Sequence, residues 1–298
     1  MDVDARFRTQ YGLITRPQAR ASGLTDRQID RRLATGAWDR EHPGVFRLSA
    51  VPTGWHSRLL GPVLNTGGVA SHRSAAALWY LEIFRDPVAE ISVPTGRWAQ
   101  LDGVRIHHTT QWATRDEKMI GGIACTNVER SILDCGAVAS ERTVERLAEA
   151  AIRKRLTTWQ RLLTSLRVHS VQGRDGCLDL RRVLERRLLN RTIPLSDFSR
   201  LVANLLVDGG VPEPVVEYRI VDSSGDLIMQ ADLAWPGLKK AWELDGLQFH
   251  FGRTEIERDR RKRNRAKSRG WNIQEILWSM YLDEPNSLVT MAHEFLSC

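Results

Sequence analysis

Apolar and polar positions change period several times along the 298 residues. In residues 1–50, Thr15-Arg16-Pro17-Gln18 and Thr25-Asp26-Arg27-Gln28 each place Thr at a helix N-cap and Gln three residues on. That reciprocal arrangement satisfies two backbone N–H groups the helix itself leaves unpaired. The first predicts a helix through Ala19 and Ala21, stopped by Gly23. The second predicts a helix that turns Ile29 and Leu33 inward and Arg27, Arg31 and Arg32 toward solvent, ending at Gly36. A strand pair, 37–40 and 45–48, follows around Pro43-Gly44. Two short helices, a tight glycine turn and a hairpin form a helix-turn-helix with a wing, the order in which a second helix enters a DNA major groove.

Residues 54–190 read as a mixed region followed by a helical connector. Ala70 to Ala76 begins a helix with Ser71 as a candidate cap, and 89–94 and 103–108 read as strands. His107 and His108 are adjacent on the second of these, so they point to opposite faces and are poorly placed to share a ligand. Thr126-Asn127-Val128-Glu129 is a further capping box before Ile132 and Leu133. Helices are also expected from Ser140, carrying Val144, Leu147, Ala151 and Ile152, and around 178–189. Residues 195–298 give a helix (196–207), strands at 215–221, 227–234 and 240–245, a basic helix (255–268) and a last strand (271–277). The expected class is thus a multi-domain α+β or α/β protein.

Composition adds a compartment and a partner. With 42% hydrophobic and 27% charged residues, the chain has the balance of a soluble globular protein. No basic segment leads into an apolar run at the start, and no apolar run is long enough to span a bilayer. The four cysteines, Cys125, Cys135, Cys177 and Cys298, form no C-x-x-C pair and read as reduced thiols, so a cytoplasmic location without membrane contact is expected. The net charge is +7, and residues 251–269 alone hold nine basic and three acidic residues. Such a concentration suits a polyanion, although a solvated helix face has the same composition.

The chemistry concentrates after residue 230. Asp232 sits between apolar Ala231 and Leu233, while Glu243 and Asp245 share one strand face and Trp242 and Leu244 the other. Bringing Asp232 beside Glu243 across the short connection gathers two or three carboxylates, whose repulsion a hard divalent cation relieves. Such a cation acidifies bound water and neutralises charge developing on a phosphate.

Two resemblances follow from these motifs. Gly12-Leu13-Ile14-Thr15-Arg16, Ala21-Ser22-Gly23-Leu24-Thr25 and His42-Pro43-Gly44-Val45-Phe46 resemble, in order, the N-terminal winged-helix domain of AbiEi-type antitoxin regulators. Residues 54–125 resemble the region that follows it in that group. From residue 195 onward, Asp232, Glu243-Leu244-Asp245-Gly246, Phe249-His250, Glu257-Arg258-Asp259-Arg260 and Gly270-Trp271 resemble the very-short-patch-repair endonucleases of the PD-(D/E)XK superfamily. The second resemblance implies a restriction-endonuclease-like core holding Mg2+ or Mn2+. It makes Asp232 and Glu243 the metal ligands and His250 the general base or water-positioner. Asp245 would stand where the wider superfamily has lysine. Arg258, Arg260 and Arg261 read as phosphate contacts or ion partners. Ser199 stands where related domains carry a helical glutamate, and Asp197, two residues earlier, faces elsewhere. Metal-dependent DNA hydrolysis is therefore the favoured expectation. The alternative is an AbiEi-type regulator with an inactive nuclease fold, a toxin partner and, since such regulators often dimerise, a homodimeric state.

Overall fold

The computed structural model describes residues 2–81, 84–96, 100–111, 113–170, 174–190, 193–245 and 253–297, with backbone alone at 189, 245 and 253–259. The chain divides into two units: Met1–Thr157 with Asp175–Leu180, and Thr158–Arg174 with Arg181–Cys298. No helix among the described residues is long and apolar enough to cross a membrane.

Unit 1 opens with α1 (Val3–Thr9), β1 (Leu13–Thr15), α2 (Arg16–Ala21), α3 (Asp26–Ala34), β2 (Trp38–His42) and β3 (Val45–Leu48). Both expected capping boxes form, with Thr15 accepting from the Gln18 amide and Thr25 from that of Gln28. The three strands are antiparallel in the order β1-β3-β2. Phe7, Ile14, Ala19, Ile29, Trp38 and Phe46 form their own core. Helix α1 and strand β1 are not legible in the sequence, because seven and three residues are too few to display a period.

Next come α4 (Trp55–Thr66), β4 (Val69–Ala70), α5 (His72–Leu78), β5 (Ala89–Pro94), β6 (Val104–Thr109), β7 (Glu117–Ile120), β8 (Ile123–Thr126), α6 (Val128–Cys135) and α7 (Glu141–Arg153). The strands form a five-stranded mixed sheet, β6-β5-β4-β8-β7. Its core includes Leu59, Leu60, Ile91, Val93 and Ile123, and reaches Leu13 and Val45 of the first layer. The Tyr11 hydroxyl donates to the Gly121 carbonyl (2.6 Å), and Asn65 Nδ2 to that of Pro43 (2.7 Å). The N-terminal elements are therefore packed onto the second sheet, to whose core they contribute Leu13 and Val45. At α6 the cap is Asn127, which accepts from the Arg130 amide; Thr126 Oγ1 instead bonds Ser131 Oγ. Gly136 and Gly176 meet backbone to backbone. A Cβ at Gly136 would lie 2.3 Å from the Gly176 carbonyl oxygen, a close approach that ties 175–180 back to this unit.

Unit 2 contains α8 (Trp159–His169), the part of α9 (Cys177–Leu189) from Arg181 onward, α10 (Leu195–Asp208), β9 (Val215–Val221), β10 (Leu227–Trp235), β11 (Lys240–Asp245), α11 (Arg253–Lys267), β12 (Asn272–Leu277), α12 (Trp278–Asp283) and α13 (Pro285–Ser297). The sheet runs β12-β11-β10-β9. The three earlier strands form an antiparallel meander, and β12 returns parallel to β11 after α11. One cluster packs Ile220, Ile228, Met229, Ala231, Ala266 and Ile273. Elsewhere on the sheet Trp235 and Trp242 make ring contacts with each other and with Phe295 of α13 at 5.8–6.4 Å.

Candidate nucleic-acid interface and acidic sites

Helix α3 is a short amphipathic rod whose acidic residues are neutralised by α2. Arg16 reaches Asp26 (3.1 Å) and Asp30 (2.8 Å), and Arg20 reaches Asp26 (2.9 Å). With both aspartates occupied, the outward charge of α3 is set by Arg27 and Arg31. These lie four residues apart, hence on one helical face, and both are exposed. Arg32, expected beside them, is diverted. Its guanidinium lies over the Trp38 ring at 5.6 Å and donates to the Gln28 carbonyl at 3.2 Å, so this half-buried arginine also braces the fold. On β3, Arg47 is likewise held by Asp39 (2.5 Å), Glu41 (3.2 Å) and the Val51 carbonyl (2.7 Å).

In unit 2 the β10–β11 ladder pairs Leu233 with Trp242, and Asp232 and Glu243 are the next residue beyond that pair on each strand. Asp232 Oδ2 accepts the Leu244 amide at 2.8 Å. Glu243 is engaged by Arg263 of α11 (Nε to Oε2, 3.0 Å), and the same guanidinium contacts Glu275 of β12. The arginine that reaches the acidic pair is therefore not one of those singled out in the sequence. Ala266, three residues beyond it, is fully buried on the same side of α11. Arg260 and Arg261 are exposed; the Arg258 and Asp245 side chains and all of His250 lie outside the described residues. Ser199 is buried and donates to the Leu195 carbonyl (3.0 Å), so this position of α10 brings no acid.

A third cluster lies in unit 1. Glu90 of β5 is fully buried. Its Oε1 accepts from Arg73 Nε (2.9 Å), the second Arg73 nitrogen and a guanidinium nitrogen of Arg105 (3.0 Å), and its Oε2 accepts the Arg73 amide (3.1 Å). His72 opens α5 with φ +51°, in the left-handed region that costs an L-residue about 1–2 kcal/mol. Ser71 is the N-cap residue of α5, as expected, but its Oγ caps no helix amide and bonds His72 Nδ1 at 2.9 Å. The imidazoles of His72 and His107 stack at 3.6 Å, 17° apart, while His108 is exposed. Burial pushes the His107 imidazole below the usual histidine range; Asp134 opposes this, while Arg73 and His108 reinforce it.

His72, Glu90 and His107 place one ligand atom each within 4.8 Å of one another. Near-parallel rings run their in-plane lone pairs side by side, not toward a common point, and two guanidinium groups already occupy Glu90. The set is built as an ion-pair network, not as a cation site.

The chain's likeness to known proteins agrees with the first of these sites. Residues 1–49 match the family model described as transcriptional regulator, AbiEi antitoxin. Over 265 residues, 89% of this chain, it is 23% identical to uncharacterized proteins of Mycobacterium tuberculosis strains CDC 1551 and H37Rv, covering 94% of each. Those relatives run through both units, whereas the antitoxin match ends where β3 does.

Proposed function

We propose that this chain is a DNA-binding transcriptional regulator of the AbiEi antitoxin kind, with α2 and α3 as a helix-turn-helix and β2–β3 as its wing. The observation that carries this reading is the AbiEi match over residues 1–49, the span of the layer in which Arg27 and Arg31 stand exposed on α3. In that role the two arginines contact base edges or phosphates in the major groove, and Arg16 and Arg20 remove the repulsion that Asp26 and Asp30 would exert on the backbone. A toxin encoded with it is the partner this family implies.

The test is titration of the full chain with duplex DNA from its own upstream region, at several salt concentrations. Arg27→Ala/Arg31→Ala is expected to lose about 2–6 kcal/mol of binding and to flatten the salt dependence. Arg32→Ala should instead lower stability through Trp38. Unchanged affinity in the double variant would overturn the assignment.

A second reading, a restriction-endonuclease-like unit 2, is supported by the order α10-β9-β10-β11-α11-β12, by the parallel return of β12 and by Asp232 and Glu243 on neighbouring strands just beyond the Leu233–Trp242 pair. Two strand carboxylates suit magnesium or manganese. Glu243, however, already pairs with Arg263, which it shares with Glu275, so a cation would have to compete with that guanidinium for the carboxylate. The expected outcome with supercoiled plasmid and either metal is no nicking. Nicking by the wild type that disappears in Asp232→Ala would restore the enzyme reading.

A further inference from the structure

We propose that the pocket walled by Arg73, Arg85 and Arg105 in unit 1 binds a phosphomonoester, independently of any DNA contact made by α3. The pocket has a volume of about 320 Å³ and is lined by Arg73, Phe84, Arg85, Pro87, Val88 and Arg105. That size lies at the lower end of small-ligand sites, enough for more than a bare inorganic ion.

Its charge is fixed from below. Glu90 and Arg105 are neighbours in the parallel β5–β6 ladder, and Arg73 follows the strained His72 at the start of α5. Burying a carboxylate is costly unless it is paired, and Glu90 is paired twice. It therefore holds two guanidinium groups in place while cancelling the charge of only one. The two arginine side chains remain 26% and 52% exposed, so donors are left for a ligand. Arg85 is exposed and has no acidic partner among the described residues. Three arginines against Glu90 leave a net +2.

A phosphomonoester carries close to two negative charges at neutral pH, whereas a backbone phosphodiester carries one. Arginine forks match phosphate oxygens in pairs, and arginines fixed beforehand lose little freedom on binding. Phe84, Pro87 and Val88, the last 60% exposed, offer an apolar wall for the organic group. The adjoining cavity of about 440 Å³ shares Pro87 and Val88 but sets Glu41, Asp86 and Asp102 against Arg58, an acidic excess that leaves the arginine pocket as the better anion site.

The experiment is calorimetric titration of the full chain with phenyl phosphate, phenyl sulfate and inorganic phosphate, repeated on Arg85→Ala and Arg105→Met. The exposed Arg85 side chain holds no buried charge in place, so its variant separates ligand loss from unfolding. Phenyl phosphate is expected to bind more tightly than the singly charged sulfate, and Arg85→Ala to weaken it about tenfold. Absence of phenyl phosphate binding to the wild type, or equal binding by Arg85→Ala, would sink the proposal. So would a result in which Arg85→Ala lowers duplex-DNA affinity and its salt slope while phenyl phosphate binding is unaltered. That would make Arg85 a backbone contact instead.

Discussion

Arg130→Met is expected to destabilise unit 1 by about 3–5 kcal/mol, the range for breaking a buried pair from one side. The Arg130 side chain is 6% exposed and holds Asp134 at 2.9 Å and Asp116 at 3.5 Å, both themselves buried. It also donates to the Gln111 carbonyl (3.2 Å) and to Thr109 Oγ1 (3.4 Å), so one guanidinium ties α6 to the end of β6 and the segment after it. Methionine fills comparable volume but leaves two carboxylates in a poorly hydrated place without their cation. Urea unfolding read by far-UV circular dichroism measures the loss. Arg130→Met/Asp134→Leu should recover part of it, because one of the two stranded charges is then gone. A loss under about 1 kcal/mol in the single variant would show that water reaches these carboxylates.

Trp242→Ala should cost a comparable amount, about 3–5 kcal/mol, but in unit 2. Trp242 is fully buried on β11, meets Trp235 edge-on at 5.8 Å and Phe295 at 6.2 Å, and donates Nε1 to Gln274 on β12 (3.1 Å). Alanine would leave a cavity between a central strand and α13 and leave the Gln274 oxygen without that donor. Trp242→Phe keeps most of the ring contacts and is expected to lose clearly less. Near-UV circular dichroism, dominated by tryptophan packing, follows both variants. An alanine variant as stable as the phenylalanine variant would mean the site collapses around the missing ring.

Trp242 also shows how far local pattern carries. Alternation along 242–245 already set Trp242 and Leu244 against Glu243, and both apolar residues are buried. The same holds for Ile29 inside α3, for the capping boxes at Thr15 and Thr25, and for the opposite faces of His107 and His108. Each depends on residues one to four apart, whose geometry the backbone period dictates. The fate of Arg32 was not legible, since nothing within one turn says that Trp38 offers its ring face. Ser71 does stand at the N-cap of α5, but the sequence did not show that its hydroxyl would turn to His72, whose φ is positive.

What the amino-acid sequence by itself determined is the order α2-α3-β2-β3 and α10-β9-β10-β11-α11-β12, the inward side of α3 at Ile29, the alternation of β11, and the concentration of positive charge on α11. What only the tertiary structure decided is which charges meet. Glu90 finds Arg73 and Arg105 at separations of 17 and 15 residues, and Glu243 finds Arg263 and thereby Glu275. Those encounters follow from strand order and register, which bring distant segments into contact. Ion pairing then resolves whichever carboxylates the sheet has brought together, because an unpaired charge in a low-dielectric place is too costly to leave.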